Sequence, residues 1–302
     1  MTREAQSPKH TPHFRRALIV ANPIAGRGRA RRMAGELAAG LRADGIETEL
    51  HFTAARGDAT RRVGALEPET DLVVAVGGDG TVAEILAGLR PEIPLAVLPL
   101  GTANVMSRDL RIPRRPAGTI RMIRGGRTTG LDTARVNGRL SFLVTGVGFD
   151  GRIVRSIDIA RSGPVTKWTY VRAVWRTLRA WGRPPRLRVF VDGERIPGEY
   201  GWVIVSNTIG YGGFMQIAPD RVLDDGLFEV SLFERGTRLA LIGYALRGIF
   251  RRLPGGSCRM VPARRVRIES DEPEHYQVDG DYGGETPVEI EVTGVRHRLL
   301  IP

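Results

Sequence analysis

The 302-residue chain has little of the residue types that build disulfide, zinc and histidine-nucleophile sites. It contains one cysteine, Cys258, which excludes an intramolecular disulfide framework and is consistent with a reducing compartment. Its five histidines show neither HxH nor HExxH spacing, and Ser107 does not lie in a GxSxG elbow. The sequence therefore gives no support to zinc chemistry or to serine-hydrolase chemistry.

Long apolar runs are also missing. No stretch of about 18 consecutive apolar residues occurs, so we expect no transmembrane helix. The N-terminus lacks the apolar segment of a signal peptide, and its polar residues 1–15 are predicted to form a flexible tail. We therefore expect a protein that is soluble or binds a membrane peripherally.

Lysine is scarce, since Lys9 and Lys167 are the only two and every other basic residue is arginine. With 45 basic and 33 acidic residues, the net charge is +12. Such a surface favours nucleic acid, anionic lipid or nucleotide as a partner. No zinc-finger spacing or RNP signature accompanies the charge, so we expect an anionic membrane surface as partner and no nucleic acid. No motif indicates an oligomeric state.

The first half of the chain alternates short apolar strands with helical patterns. Strands are predicted at 17–21, 48–52, 72–76 and 95–98, and helices at 29–44, 58–66, 81–89, 103–110 and 117–125. This alternation is typical of a parallel sheet covered by helices on both faces. We predict an α/β nucleotide-binding domain over residues 16–130.

After residue 130 short strands and Asp-Gly turns predominate, which indicates an antiparallel sandwich or barrel. We predict an all-β, sandwich-like domain over residues 131–294 with two inserted helices, at 166–182 and 238–252. In the first of these helices, four arginines share one face and apolar residues share the other. The arginines are Arg172, Arg176, Arg179 and Arg183, and the apolar residues are Tyr170, Val171, Val174, Trp175, Leu178 and Trp181. The helix either packs on the sheet with a solvated arginine face or lies at a membrane interface.

The sequence Gly77-Gly78-Asp79-Gly80-Thr81 lies between a predicted buried strand and a predicted helix. Three glycines remove side chains that would keep the backbone away from a phosphate, and the following helix directs N–H groups into the turn. The Asp79 carboxylate requires a counter-charge there, which a nucleotide-bound Mg²⁺ would supply. The alternative is a tight turn with a polar tip.

Two other loops stand in the same position relative to a strand. They are Asn22-Pro23-Ile24-Ala25-Gly26-Arg27-Gly28 and Pro99-Leu100-Gly101-Thr102-Ala103-Asn104. The carboxyl ends of parallel strands meet at one edge of the sheet, so the three loops are expected to converge on a ligand there. A GxxxxGK[ST] pattern is absent. The loops must therefore hold phosphate through backbone N–H groups.

These loops, together with Asp225-Gly226-Leu227 and Val278-Asp279-Gly280-Asp281, resemble the diacylglycerol kinase catalytic family of lipid kinases. The resemblance extends from about residue 16 to the C-terminus. It implies a cytoplasmic lipid kinase, peripherally associated with the inner face of the cell membrane, that uses ATP and Mg²⁺ on a membrane lipid such as diacylglycerol. It also implies that residues 295–302 return to the first domain. The GGDG turn alone would not separate the family from NAD kinases and phosphofructokinases.

The resemblance also assigns roles to individual residues. Those expected to bind ATP are Asn22, Thr53, Gly77, Gly78, Asp79, Gly80, Thr81, Val82, Ala83 and Thr102. A structural Mg²⁺ is expected on the side chain of Asp225 and the carbonyls of Val222 and Leu227, with a metal-free Asp-Gly turn as the alternative. Asp281 is the expected proton acceptor, acting with Asp79. The family usually has glutamate at position 281, and Asp279 is the local alternative.

Two other functions compete with lipid phosphorylation. A soluble-metabolite kinase such as an NAD kinase would share the GGDG turn. A non-catalytic lipid or nucleotide sensor is consistent with the shorter side chain of Asp281 and with the +12 charge.

Overall fold

A computed structural model of the chain describes residues 14–160, 167–211, 215–219 and 221–302. The predicted tail lies outside these residues, except for its last two positions. Among the described helices, none is both long and apolar enough to cross a bilayer.

The first part of the chain forms a parallel sheet with helices on its faces. The elements are β1 (Arg16–Ala21), α1 (Ala30–Ala43), β2 (Glu47–Phe52), α2 (Asp58–Gly64), β3 (Leu72–Gly77), α3 (Asp79–Gly88), β4 (Leu95–Pro99), α4 (Val105–Asp109) and α5 (Pro116–Gly125). The strand order is β2-β1-β3-β4, and all three pairings are parallel. Every residue of β3 and β4 is buried, because helices cover both faces of the sheet.

The second part contains mostly short antiparallel strands. These are β5 (Thr128–Val136), β6 (Arg139–Ser141), β7 (Val144–Gly148), β8 (Leu187–Val191), β9 (Glu194–Arg195), β10 (Trp202–Ser206), β11 (Gly210–Tyr211), β12 (Met215–Gln216), β13 (Phe228–Phe233), β14 (Cys258–Ala263), β15 (Arg265–Ser270), β16 (His275–Val278), β17 (Asp281–Glu285) and β18 (Val288–Leu300). The helices are α6 (Phe149–Ile159), α7 (Lys167–Ala180) and α8 (Arg238–Ile249).

The long strand β18 joins the two parts of the chain. Leu299 pairs in parallel with Leu95 of β4, and an antiparallel ladder runs along β5 from Ile290 to Leu300. The resulting ten-stranded sheet follows the path β2-β1-β3-β4-β18-β15-β8-β9, with β5 paired to β18 and β6 paired to β5. The predicted domain limits, 16–130 and 131–294, stay a prediction.

A six-stranded antiparallel sheet, ordered β14-β13-β10-β7-β16-β17, packs on the β8, β15 and β18 part of the large sheet. One apolar cluster contains Val189 and Ile268 from the large sheet with Val203 and Leu232 from the small one. Two sheets that share one core form a sandwich. The predicted fold class, an α/β domain with a parallel sheet followed by a β sandwich, is confirmed.

The helices of the second part differ in number from the prediction. Two were predicted, whereas the described residues contain three. The additional helix, α6, follows β7 directly through Gly148 at φ +98°. The predicted start of the α7 helix, residue 166, lies outside the described residues. Val171 and Trp175 are 42% and 62% exposed, so the apolar face does not pack on the sheet as a whole, which was one of the two alternatives for this helix. The buried face of α7 is therefore narrower than the apolar face of the sequence. It includes Ala173, and Trp181, which directly follows the helix, is buried as well.

Candidate active site

The glycine turn connects β3 to α3, and at Gly77 it leaves no room for a side chain. A Cβ on Gly77 would lie 2.3 Å from the Oγ1 of Thr81. The carbonyl of Gly77 accepts a hydrogen bond from the N–H of Leu100 at 2.7 Å, which ties this turn to the loop after β4. The turn is therefore fixed from both of its sides.

Gly78 and Gly101 bring the two loops into backbone contact. A Cβ on Gly101 would lie 2.5 Å from the Cα of Gly78 and 2.7 Å from the Oδ1 of Asn104. Asn104 is buried in the left-handed region at φ 48°. Its side chain accepts from the N–H of Gly101 at 2.9 Å and donates to the carbonyl of Gly101 at 2.7 Å. The asparagine thus closes the predicted Pro-Leu-Gly-Thr-Ala-Asn loop on itself.

Asp79 begins α3 at this junction. Its Oδ2 accepts a hydrogen bond from the N–H of Val105 at 3.3 Å. Burial raises the pKa of Asp79 to about 6, and the negative charge of Asp279 adds to the rise, against the lowering effect of the Val105 amide. The carboxylate of Asp279, from the second part of the chain, is therefore near enough to repel that of Asp79. A cation bound at Asp79 would offset both the cost of burying the ionised carboxylate and its repulsion by Asp279.

The start of α3 can accept the phosphates of a nucleotide. Val82 donates the first i to i−4 bond of the helix, to the Gly78 carbonyl at 3.2 Å, so the amides of Asp79 and Gly80 precede it. A Cβ on Gly80 would meet nothing within 4 Å, which shows open space beside the turn. The carboxylate, leading amides and open space together fit a magnesium nucleotide.

The other predicted ATP-binding residues surround this edge of the sheet. Asn22 donates its N–H to the Val76 carbonyl at 3.0 Å, and its Oδ1 accepts from the Ile24 amide at 3.2 Å. The amide of Thr53 donates to the carbonyl of Ala21 at 3.0 Å. Thr102 is exposed in the loop after β4, Ala83 is partly buried, and Thr81 and Val82 are buried on α3. The amides of Thr81 and Val82 both donate to the Gly78 carbonyl, at 3.0 and 3.2 Å.

Asp279 holds a backbone segment. Its Oδ1 accepts hydrogen bonds from the Ser141 hydroxyl and from the Leu143 and Val144 amides, at 2.9–3.0 Å. Its Oδ2 accepts from the Phe142 amide at 3.0 Å. Burial raises the pKa of Asp279 although these bonds lower it. Both carboxylate oxygens are therefore engaged in fixing the segment before β7.

Asp281 is more accessible and links distant parts of the chain. Its Oδ2 accepts hydrogen bonds from Arg139 at 2.7 Å and from Arg56 at 3.1 Å. Arg56 follows β2, and its partner is 225 residues away in sequence. The Asp281 side chain is 48% exposed. The ion pair of Arg56 with Asp281 connects the carboxyl edge of the parallel sheet to the turn before β17, where the predicted proton acceptor lies.

A buried polar chain supports the turn between β16 and β17. The Oε1 of Gln277 accepts from the Gly280 amide at 2.7 Å, and its Nε2 donates to Asp150 at 2.8 Å. Tyr211 also donates to Asp150. Burial raises the pKa of Asp150 to about 6, and these two hydrogen bonds oppose the rise. Asp150 and Gln277 were not among the predicted site residues, because no local pattern connects them with Asp281.

The predicted structural Mg²⁺ does not fit its expected ligands. The Asp225 carboxylate and the Leu227 carbonyl both accept hydrogen bonds from the guanidinium of Arg221, at 2.9 and 2.6 Å. Val222 is 50% exposed. Among the described residues there is no group of three or more His, Cys, Asp or Glu side chains arranged to hold a metal. No sequence pattern indicated a role for Arg221, which lies four positions before Asp225.

Two family models match the chain. The diacylglycerol kinase catalytic domain matches residues 16–136, and the YegS C-terminal NAD kinase beta sandwich-like domain matches residues 144–300. A Bacillus subtilis protein named diacylglycerol kinase is 30% identical, with 92% of this chain and 93% of that protein covered. A Staphylococcus epidermidis protein of the same name is 31% identical, with 90% and 88% covered.

Solved structures agree with these matches. A diacylglycerol kinase from Bacillus anthracis superposes with a TM-score of 0.75 and 25% identity, over 96% of this chain and 98% of that one. An NAD kinase from Archaeoglobus fulgidus in complex with ATP superposes with a TM-score of 0.53 at 15% identity, over 94% and 93%. The second likeness shows a shared fold alone.

Proposed function

This chain belongs to the diacylglycerol kinase family of lipid kinases, and we propose that it transfers the γ-phosphoryl group of MgATP to the free hydroxyl of diacylglycerol. The observation that best supports the proposal is the position of Asp79. It lies beside the contact of two glycine loops, and the carboxylate of Asp279, two positions before Asp281, is close enough to raise its pKa. The groups that we assign to nucleotide binding and to proton acceptance thus come from different parts of the chain.

We assign nucleotide binding to the backbone of the two loops and the start of α3. The nucleotide supplies the phosphoryl group and, through Mg²⁺, positive charge. Gly78 and Gly101 keep side chains out of the junction, and the amides at the helix start stabilise negative charge on phosphate oxygens. Asp79 supplies a carboxylate for the metal. Asn22, Thr53 and Thr102 line the same edge, which makes them candidates for contacts with the rest of the nucleotide.

We assign proton acceptance to Asp281. A phosphoryl-transfer enzyme must orient an acceptor hydroxyl and take up its proton. The Asp281 carboxylate is accessible and is held between Arg56 and Arg139. These two hydrogen bonds limit the rotation of the carboxylate. The Gln277 and Asp150 chain fixes the backbone at Gly280, so it positions Asp281 without touching the substrate.

A lipid substrate requires access to a bilayer, and α7 and α8 present suitable faces. Trp168 and Trp175 are 77% and 62% exposed on α7, beside exposed Arg172 and Arg176. The α8 helix exposes apolar residues along its length: Leu239, Ile242, Leu246, Ile249 and Phe250. The two helices meet where the Nε of Arg238 donates to the Trp181 carbonyl at 2.7 Å.

We propose that this surface, the α7–α8 face, binds an anionic lipid bilayer. Exposed tryptophan beside arginine suits the headgroup layer of a membrane. A net charge of +12 complements anionic lipid. Access to the bilayer would bring a membrane-resident hydroxyl to a protein that has no spanning helix among its described residues.

The direct test is a product assay. Purified protein, Mg²⁺ and γ-labelled ATP are incubated with mixed micelles that contain diacylglycerol, ceramide, a sphingoid base or phosphatidylglycerol, and with NAD in solution. We expect label in phosphatidic acid. Label in another lipid would support a lipid kinase whose substrate is not diacylglycerol. Label in NADP alone, or nucleotide binding without a product, would overturn the proposal.

A further inference from the structure

Arg221 is an arginine buried inside the second domain. It lies in the segment before β13, and none of its side chain is exposed to solvent. A buried charge is costly unless oppositely charged and hydrogen-bonding groups surround it. The surroundings of this guanidinium therefore indicate its role.

Three oxygen atoms from three residues surround the guanidinium. The Nε donates to the Oδ1 of Asn207 at 2.9 Å, and Nη2 also donates to that oxygen. Nη1 donates to the Oδ1 of Asp225 at 2.9 Å, and Nη2 donates to the carbonyl of Leu227 at 2.6 Å. A carboxylate, an amide carbonyl and a backbone carbonyl are the ligand types that hard cations take in proteins.

We propose that the Arg221 guanidinium is a permanent internal cation that occupies the place of a structural divalent metal in this chain. Its planar fork supplies N–H donors to the Asp225 and Leu227 oxygens, two of the three groups expected to coordinate the metal. Its single positive charge balances the single carboxylate of Asp225. A divalent ion would have to displace the guanidinium and leave a positive charge buried without its partner. The site therefore still binds a cation, and that cation is the side chain of Arg221 instead of a metal ion.

The segment that Arg221 fixes is docked on β5. The amide of Gly226 donates to the Oδ2 of Asp132 at 2.6 Å, and the amide of Asp132 donates to the Leu223 carbonyl at 2.8 Å. Asn207, which accepts from Arg221, also donates to the Asp132 carbonyl at 2.8 Å. The guanidinium thus joins the segment before β13, the end of β10 and β5.

The second nearby carboxylate does not offer a metal ligand either. The Oδ1 of Asp132 accepts from Arg296 at 3.3 Å, while its Oδ2 accepts the Gly226 amide. Arg221 is thus paired with Asp225, and Arg296 with Asp132. It follows that the folded chain needs a divalent metal for its nucleotide and none for this segment.

Thermal unfolding of the full chain, without nucleotide, tests the inference independently of kinase activity. The wild type is melted in EDTA, in Mg²⁺ and in Ca²⁺, and we expect its three midpoints to agree. Arg221→Ala should lower the midpoint in EDTA by roughly 5 to 10 °C. In that variant Mg²⁺ or Ca²⁺ should restore part of the loss, because the three oxygens are then free to coordinate a metal.

Arg235→Ala, which removes an exposed arginine of the same domain, is the matched control and should show neither effect. A wild-type midpoint that Mg²⁺ raises by several degrees, and that no longer responds in Asp225→Asn, would overturn the inference. A folded Arg221→Ala variant with the wild-type midpoint, or with no metal response, would also overturn it. If Arg221→Ala does not fold, the wild type and Asp225→Asn decide the question alone.

Discussion

Gly78 and Gly101 lie so close that a Cβ on Gly101 would stand 2.5 Å from the Cα of Gly78. They follow two neighbouring parallel strands, β3 and β4, and their contact makes one surface of two loops. Only a residue without a Cβ permits this approach. The backbone of the glycine turn after β3 thus requires a glycine at position 101, in the loop after β4.

Gly101→Ala should therefore lower both stability and nucleotide affinity. The added methyl group must move the turn at Gly78 or the Asn104 side chain, and we expect a loss of about 1 to 3 kcal/mol in the free energy of unfolding. Urea titration measures the stability, and calorimetry with MgATP measures the affinity. Gly35→Ala, on α1 with nothing within 4 Å of its Cβ, is the control. It should stabilise the protein by about 0.5 to 1 kcal/mol. Equal effects of the two substitutions would contradict the role of the glycine contact.

Asp79→Asn should abolish turnover and yet stabilise the protein at neutral pH. The folded-state pKa of Asp79 is about 6 against an ordinary 3.8, so the folded state binds the proton more tightly. The Asp79 contribution to the free energy of unfolding therefore falls as pH rises from 3.8 to about 6. The ionised carboxylate costs about 2 to 3 kcal/mol at pH 7 by this linkage. An asparagine does not have this cost.

The measurement is urea unfolding of the wild type and Asp79→Asn across this pH range. The difference between them should be small at the acidic end and should favour the variant above pH 6. Asp58→Asn is the control of opposite sign, because the Ala54 amide and His51 lower the pKa of Asp58. That variant should be less stable than the wild type at neutral pH. An Asp79→Asn variant that is less stable than the wild type at pH 7 would reject this interpretation.

The loops of the candidate site could be predicted from the sequence because each is local. An apolar strand followed by glycine and a helical pattern is sufficient to place Gly77–Gly80 and Gly101 at one edge of a sheet. The contacts of Arg56 with Asp281 and of Arg221 with Asp225 could not be predicted. The first joins residues 225 positions apart. The second depends on the path of an irregular segment, to which no periodic pattern applies.

One part of the fold was missed, and another was left between two alternatives, for similar reasons. Helix α6 follows β7 without a loop, and its N-cap Gly148 has φ +98°. The sequence there reads as a strand that simply ends. The exposed positions of Val171 and Trp175 depend on how deeply α7 is seated, which tertiary packing decides and helical periodicity does not.

Asp281→Asn should lower kcat by about 100-fold or more and leave the affinity for MgATP largely unchanged. The amide cannot accept a proton, but it retains an oxygen for the hydrogen bonds from Arg56 and Arg139. Asp281→Glu should retain measurable turnover, because the longer carboxylate can serve the same chemistry. Asp271→Asn is the control, since Asp271 is another accessible aspartate paired with an arginine, Arg188. Unchanged kcat in Asp281→Asn would remove Asp281 from the proposed role.

The α7–α8 face should determine binding to anionic vesicles. Replacing Arg172 and Arg176 by glutamate reverses two exposed charges, each worth about 1 kcal/mol near an anionic surface. We expect at least a tenfold loss of sedimentation with phosphatidylglycerol vesicles at low salt. Addition of salt should reduce this difference, because it screens charges beyond about one Debye length.

Replacing Trp168 and Trp175 by serine removes apolar contact with the bilayer, so this double substitution should weaken vesicle binding at high salt as well as at low salt. The control for charge is Arg32→Glu with Arg90→Glu, which makes the same change at exposed positions in the first part of the chain. Turnover on a diacylglycerol dispersed in detergent micelles should be similar in all variants, whereas turnover on vesicles should follow binding. If both arginine pairs reduce vesicle binding equally, the attraction comes from net charge alone and the α7–α8 face has no special role.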